Sequence, residues 1–319
     1  MNEIAINEKQ KFNFGSWTIV YLNIALFVFL ALTRANFLTV NNILSLLYGM
    51  SFTYFASIGF TMLIISGELD LSVGSLYGFG GAMMAYFLFL YRLPAGIAIV
   101  LAVLTAGLIG LAAGLLIVKF RLNSMMVTIG VMMAVRGMNW ILVNRFAGRQ
   151  FPVSARTFMN VSLFGIRWTI ILMVISAIVL EVFLYKSRHL KQLYYIGQNV
   201  NTSSLYGLNT NFVKVVCFTL SSMLSAFGGC LMTSRLAHPN VSVGLNLEIS
   251  VITAAVLGGA SIYGGRGSMV RTMLGIFFVF VLQYGMTAYG VDSFIQYVVM
   301  GSILIMIIFI DVRMNKKGN

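Results

Sequence analysis

Charge is what this sequence has least of. Only 9% of its 319 residues are Asp, Glu, Lys or Arg, where an ordinary soluble domain carries about 25%, and only 8 are acidic. With 59% hydrophobic residues and a mean hydropathy of +0.93, a soluble globule is excluded and a polytopic membrane protein is implied. Cysteine is nearly as scarce. Cys217 and Cys230 fall thirteen positions apart on one expected helix, about 20 Å along its axis, so they can neither bridge nor pair as metal ligands. A phosphate-binding loop is missing too. The nearest stretch, Gly264-Gly265-Arg266-Gly267-Ser268, lacks the lysine and the preceding strand. No segment has the length for a domain that binds and hydrolyses a nucleotide. The first fifteen residues carry Glu3, Glu8, Lys9 and Lys11, and the apolar run after them lacks a small-residue cleavage site. A first spanning helix is therefore expected there, not a cleaved leader.

What the chain has is long apolar runs. They last about twenty residues and do not alternate, which selects helices over a β-barrel. Ten can be marked, at 16–33, 47–66, 72–91, 95–118, 125–143, 168–185, 212–234, 247–262, 269–289 and 294–312. The expectation is an all-α polytopic membrane protein of about ten transmembrane helices. Eight remain possible, because only 67–71 separates the second run from the third, and only a glycine-rich stretch separates the eighth from the ninth. Either pair can be a re-entrant element. With both termini in the cytoplasm, thirteen basic residues fall inside and seven outside, the distribution that membranes favour. The net charge of +13 then reflects cytoplasmic loops, not nucleic acid. The resulting plan is a cytoplasmic segment 1–15, a single transmembrane domain 16–312 and a cytoplasmic tail 313–319. Its two loops of any length are 144–167 outside and 186–211 inside.

Several constellations stand out. The stretch 253–275 gathers Gly258, Gly259, Gly264, Gly265, Gly267 and Gly275, with Ser261 and Ser268 beside them. Irregular backbone at membrane depth points to a transport route. A tight cytoplasmic turn between closely packed helices is the other reading. Between the second and third runs lie Glu68, Asp70, Ser72 and Ser75. Acids there are functional candidates by default, although Asp70 or Ser72 also suits a helix N-cap at Val73. Arg136, with Asn139 and Trp140, sits in the fifth run. An ion pair with Glu68 or Asp70 would neutralise it, sugar hydroxyls would suit Asn139 and Trp140, and snorkelling to the interface is the alternative. The outer loop holds Arg145, Arg149 and Arg156, followed by Arg167, against the inside-positive trend. A partner bearing carboxylates is one explanation and a solvated loop the other. In the inner loop, 201–207 has the length of a two-turn helix closed by Gly207 at its C′ position.

Together these stretches carry a resemblance. The chain resembles the permease subunits of bacterial carbohydrate-uptake ABC importers, the ribose, galactose, arabinose and xylose group. Asp70 through Ser75 reproduce the second half of that family's Gly-Gly-Ile-Asp-Leu-Ser-Val-Gly-Ser motif, while Glu68 replaces a small residue. Glu248 and the run from Ala254 to Ser268 follow its glycine signature. The inner loop follows Gly-x-Asn-x-x-Ala-Ala-x-x-x-Gly-Ile, with Ser203 and Ser204 for the alanines and Leu208 for the isoleucine.

The resemblance implies a coupling helix that docks on an ATPase through Gly197, Asn199, Ser203, Ser204, Leu205 and Gly207. It implies a path or gate at Glu68, Asp70, Ser72, Ser75, Arg136, Asn139, Gly258, Gly259, Ser261, Gly264, Gly265, Gly267 and Ser268. Docking of a periplasmic or lipid-anchored binding protein would fall to Arg145, Arg149, Arg156 and Glu248. The implied partners are a second permease subunit, identical or paralogous, the ATPase, the binding protein and membrane lipid, with no nucleic acid. No cofactor is expected in this chain, ATP and Mg being bound by the ATPase, and no catalytic residue or metal site. The expected location is the bacterial inner membrane. Two other classes compete. A secondary transporter would need coupling carboxylates, for which Glu68, Asp70 and Glu248 are the candidates. An intramembrane enzyme would have to rely on Glu248 with His238.

Overall fold

The computed structural model describes residues 14–35 and 37–316. Most of the 1–15 segment, and the last three residues of the 313–319 tail, lie outside them. Each apolar run becomes a helix: α1 (Phe14–Thr33), α2 (Val40–Ile65), α3 (Val73–Leu90), α4 (Ala95–Phe120) and α5 (Ser124–Arg145). After a short α6 (Val153–Asn160) and a two-stranded hairpin, β1 (Ser162–Leu163) with β2 (Ile166–Arg167), comes α7 (Trp168–Lys186). Then follow α8 (Arg188–Gln198), α9 (Val200–Leu205), α10 (Thr210–Leu236), α11 (Leu247–Leu257), α12 (Met269–Ala288) and α13 (Ser293–Lys316). Among the described residues, seven helices are long and apolar enough to cross a membrane: α2, α3, α4, α5, α7, α10 and α12.

Three elements differ from the sequence reading. The loop 144–167 contains α6 and the hairpin, because Phe151, Ala155 and Met159 are buried and Phe164-Gly165 adopt the two positive φ angles of a primed hairpin turn. The loop 186–211 contains α8 ahead of the expected short helix. Its sequence RHLKQLYYIGQ buries Leu193 and Ile196 and leaves charged residues outward. The eighth run contracts to the eleven residues of α11, about 16 Å of helix, which is half of a hydrocarbon layer about 30 Å thick.

The hub is α10, packed against α2, α3 and α4. Small residues let the backbones approach. A Cβ on Gly110 would strike Ser222, one on Gly80 the backbone of Ala226, and one on Gly229 the carbonyl oxygen of Tyr77. Lipid supplies no hydrophobic drive between helices, so close van der Waals packing of this kind holds the bundle together. Short elements and loops gather at the two ends of the bundle. One carries α8, α9 and the 258–268 loop; the other carries α6, the hairpin and the 237–246 loop.

Candidate functional site

At the α8–α9 end, three chain segments stack backbone against backbone. Helix α2 stops at Ile65, and the orphaned carbonyl of its last turn accepts the N–H of Gly265 at 2.8 Å. Gly197, in the last turn of α8, lies against both groups. A Cβ there would collide with the Ile65 oxygen and the Gly265 nitrogen. A Cβ on Gly264 would lie 2.7 Å from the Gly197 oxygen and 2.9 Å from the Gly67 Cα. Gly265 holds φ at +72°, a left-handed conformation that favours glycine. The inner loop, the turn after α2 and the glycine loop therefore form one rigid junction. Tyr194 of α8 reinforces it by donating its hydroxyl to the Gly267 carbonyl at 2.9 Å. Burial, helped by Tyr185 and Glu181, raises the phenol above its ordinary range, so Tyr194 stays a donor.

The far side of the glycine loop is held by two carboxylates. Glu181 of α7 accepts from the Ser268 hydroxyl at 2.7 Å and from the Met269 N–H at 2.6 Å. It thereby caps the N-terminus of α12, where negative charge is favoured. Ser268 also accepts from the Arg271 N–H at 3.2 Å. Asp311 of α13 accepts from Ser261 and from the Ile262 N–H at 3.3 and 3.4 Å. Gly258 lies flat on the Arg271 backbone, and Gly259 takes a φ of +86° nearby. Glu181 escaped the sequence reading, although an acid inside the 168–185 run is the same signal that flagged Arg136. The bundle thus holds a further interior carboxylate beyond Glu68, Asp70 and Glu248.

Asp70 is 1% exposed. It does not cap α3, whose N-cap is Ser72 without a side-chain bond. Its carboxylate accepts the Ser72 N–H at 2.8 Å and the Ser72 hydroxyl at 2.5 Å, and reaches the Ser221 hydroxyl of α10 at 3.4 Å. Asp70 thus folds the 66–72 turn on itself and ties it to the hub. Ser75 turns inward to bond the Ser72 carbonyl at 2.8 Å. Glu68 pairs with Lys214 of α10 at 2.5 Å.

Arg136 pairs with neither Glu68 nor Asp70. Its partner is Glu248 in the first turn of α11, at 2.8 Å, with the two side chains 27% and 12% exposed. Glu248, grouped by sequence with the docking arginines, therefore lies inside the bundle. Arg136 is twelve residues along α5, about 18 Å from its start, near the middle of the helix. The 237–246 loop reaches in to meet it, with Gly244 against the Gly74 carbonyl and the Val243 carbonyl over Gly78. Asn139 donates to the Ser75 carbonyl at 2.8 Å. Its Oδ1, and Oε2 of Glu248, are buried with no hydrogen-bond partner among the described residues.

Short helix α9 occupies the expected stretch, starting one residue earlier at Val200 and ending at Leu205. Asn199 caps it by accepting the Thr202 N–H at 3.0 Å. It closes with Gly207 at φ +79° and bonds from Gly207 to Ser204 and from Leu208 to Ser203, 3.0 and 3.2 Å, a Schellman motif. Ser203 is buried, while Leu205 and Tyr206 stand 88% and 77% exposed. At the opposite end, Arg145 and Arg149 both lie over the Phe146 ring, at 5.9 and 5.8 Å, and Arg156 bonds the Phe151 carbonyl at 3.0 Å. Arg167 and Arg235 gather separately over Tyr48, each at 4.9 Å.

A half-length helix, a glycine junction beside two short helices, and a charged pair between α5 and α11 thus stand in one helical bundle. The sequence matches the family described as "Branched-chain amino acid transport system / permease component" over residues 42–308. The chain belongs to that family, as a multi-pass permease subunit of an ABC importer in the bacterial inner membrane. It is 34% identical over 300 residues to the L-arabinose ABC transporter permease protein AraH of Azospirillum brasilense, covering 92% of this chain and 86% of that one. It is 31% identical to the ribose import permease protein RbsC of Bacillus subtilis (strain 168), covering 90% and 89%. Identity to RbsC of Escherichia coli (strain K12) is 28%, covering 92% of each. No solved structure matches.

Proposed function

We propose that this subunit carries a sugar or a sugar-like solute, delivered by an extracytoplasmic binding protein and driven by a separate ATPase that binds ATP and Mg. The observation that carries the reading is the exposed apolar tip of α9, Leu205 and Tyr206, set directly on the glycine junction through Gly197. A partner that tilts α8 and α9 has no slack to absorb the motion, so the displacement passes to the 66–72 turn and the glycine loop. Gly197, Asn199, Ser203, Ser204, Leu205 and Gly207 form the docking element. The path and its inner gate are built from the 66–75 stretch, the 258–268 loop, Arg136 and Asn139.

In this reading the α8–α9 end faces the cytoplasm, where Lys119, Arg121, Lys186, Arg188, Lys191, Lys214, Arg266 and Arg271 collect. All ten apolar helices lie in the membrane, with α11 entering halfway, and both termini are cytoplasmic. The outer arginines Arg145, Arg149 and Arg156 receive the binding protein. Helix α5 is the least buried of the seven long apolar helices and faces a second permease subunit across the path.

The test is co-purification of the chain with candidate ABC ATPase subunits from its host, followed by ATPase assays with binding proteins loaded with L-arabinose, D-ribose or D-allose. Stimulation by one loaded protein is expected. Uptake driven by an ion gradient without any ATPase complex would overturn the reading.

A further inference from the structure

We infer that Arg136, Glu248, Asn139 and Trp140 form a transient binding station for a polyhydroxylated solute, halfway along the path. The inference rests on the sugar-importer reading and adds to it a site inside the permease. Four observations converge. Arg136 and Glu248 are bonded at 2.8 Å yet remain partly exposed, so the pair borders open space and is not sealed in protein. Glu248 Oε2 and Asn139 Oδ1 are buried acceptors without a partner among the described residues, and Asn139 is itself 8% exposed. Both atoms are covered here, Glu248 Oε2 by the Gly74 backbone. Unpaired buried acceptors are costly, so a solute hydroxyl that reaches them when the 237–246 loop shifts would relieve that cost. Trp140 lies one turn beyond Arg136 on the same face of α5 and is 64% exposed. It offers an aromatic plane beside the polar groups, the mix that small-molecule sites use.

The backbone adds the fourth. The first turn of α11 sits at mid-depth because the 237–246 loop dips in over Gly74 and Gly78. A half-helix N-terminus facing a path is a recurrent solute site in transporters. The charges of Arg136 and Glu248 cancel, so the station carries no net charge. That selects a neutral solute with adjacent hydroxyls, one donating to the carboxylate and its neighbour accepting from the guanidinium. A zwitterionic amino acid would compete with the existing ion pair at both of its ends.

The experiment uses the assembled importer in lipid nanodiscs with Trp17→Phe and Trp168→Phe in this subunit, leaving Trp140 as its one tryptophan. Tryptophan-free partner subunits keep the signal unambiguous. L-arabinose, D-ribose and D-allose are titrated to about 100 mM, the weak end of the affinity range, with glycine betaine as a solute lacking hydroxyls. A saturable change in Trp140 emission with a sugar but not betaine is expected. Arg136→Met combined with Glu248→Met removes both charges together, which buried pairs tolerate, and its unfolding midpoint reports that it is folded. In that variant the saturable response should vanish and uptake should fall about tenfold. An unchanged titration in the double variant overturns the station, as does a silent Trp140 in an importer with normal sugar uptake. If no loaded binding protein stimulates the ATPase, the importer reading itself falls, and the station with it.

Discussion

Gly265 donates its N–H to the carbonyl oxygen of Ile65 at 2.8 Å, and Gly197 closes over that bond with no room for a side chain. The end of a central helix, the 186–211 loop and the 258–268 glycine loop thus meet at one point. Because the contacts are backbone on backbone, movement of one segment displaces the others.

Substituting Gly197 with valine should therefore uncouple the importer. Overpacking costs about 1–3 kcal/mol, and the added methyls would wedge the junction open. Sugar uptake in proteoliposomes should drop to background. Gly301→Ala in α13, where a Cβ meets nothing within 4 Å, is the control and should transport normally.

Replacing Leu205 and Tyr206 with aspartate removes exposed apolar surface without touching the interior. The thermal unfolding midpoint of the isolated subunit should stay put, since exposed substitutions usually change stability by less than about 0.5 kcal/mol. Recovery of the ATPase in a pull-down should fall at least tenfold. Equal recovery would place the docking surface elsewhere.

Glu181→Ala strips the cap from α12 and leaves Ser268 and the Met269 N–H without their acceptor. Loss of a helix cap costs about 1 kcal/mol, with more expected for a charged acceptor in a partly buried site. A lowered unfolding midpoint is predicted, and Glu181→Gln should recover part of it. A midpoint matching the parent in the alanine variant would show that Glu181 holds nothing.

Glu68 and Lys214 should behave as a unit. Each single change to methionine leaves a partly buried charge unpaired and should destabilise the protein, while the double change should recover most of the loss. Additive effects across the cycle would mean that the pair has no coupling.

Arg149→Glu together with Arg156→Glu reverses charge at the end opposite α9. Binding-protein capture by the importer should weaken, and in the parent it should weaken with rising salt. Unchanged capture by the doubly substituted importer would remove these arginines from the docking surface.

The sequence was readable wherever local chemistry decides the outcome. Twenty-residue apolar runs became helices, and Gly207 ended α9 as a C′ glycine should. It was least readable where partners lie far apart in the chain. Asp70 looked like a cap for α3, but the fold turns it toward Ser221, 151 residues away. Arg136 had Glu68 and Asp70 as evident partners in sequence, yet Glu248, 112 residues on, reaches it. Glu181 passed unnoticed in an otherwise apolar run, because nothing local shows that the start of α12 will lie beside it.

By itself, then, the sequence determined the class, the helical segments and the positions of the glycines, because hydrophobic length and backbone freedom are properties of short stretches. Only the tertiary structure decided which carboxylate meets which cation, and that Gly67, Gly197 and Gly264 share one contact. The reason is physical. A buried charge must find its partner in space, and a missing side chain acquires meaning only from the backbone that fills its place.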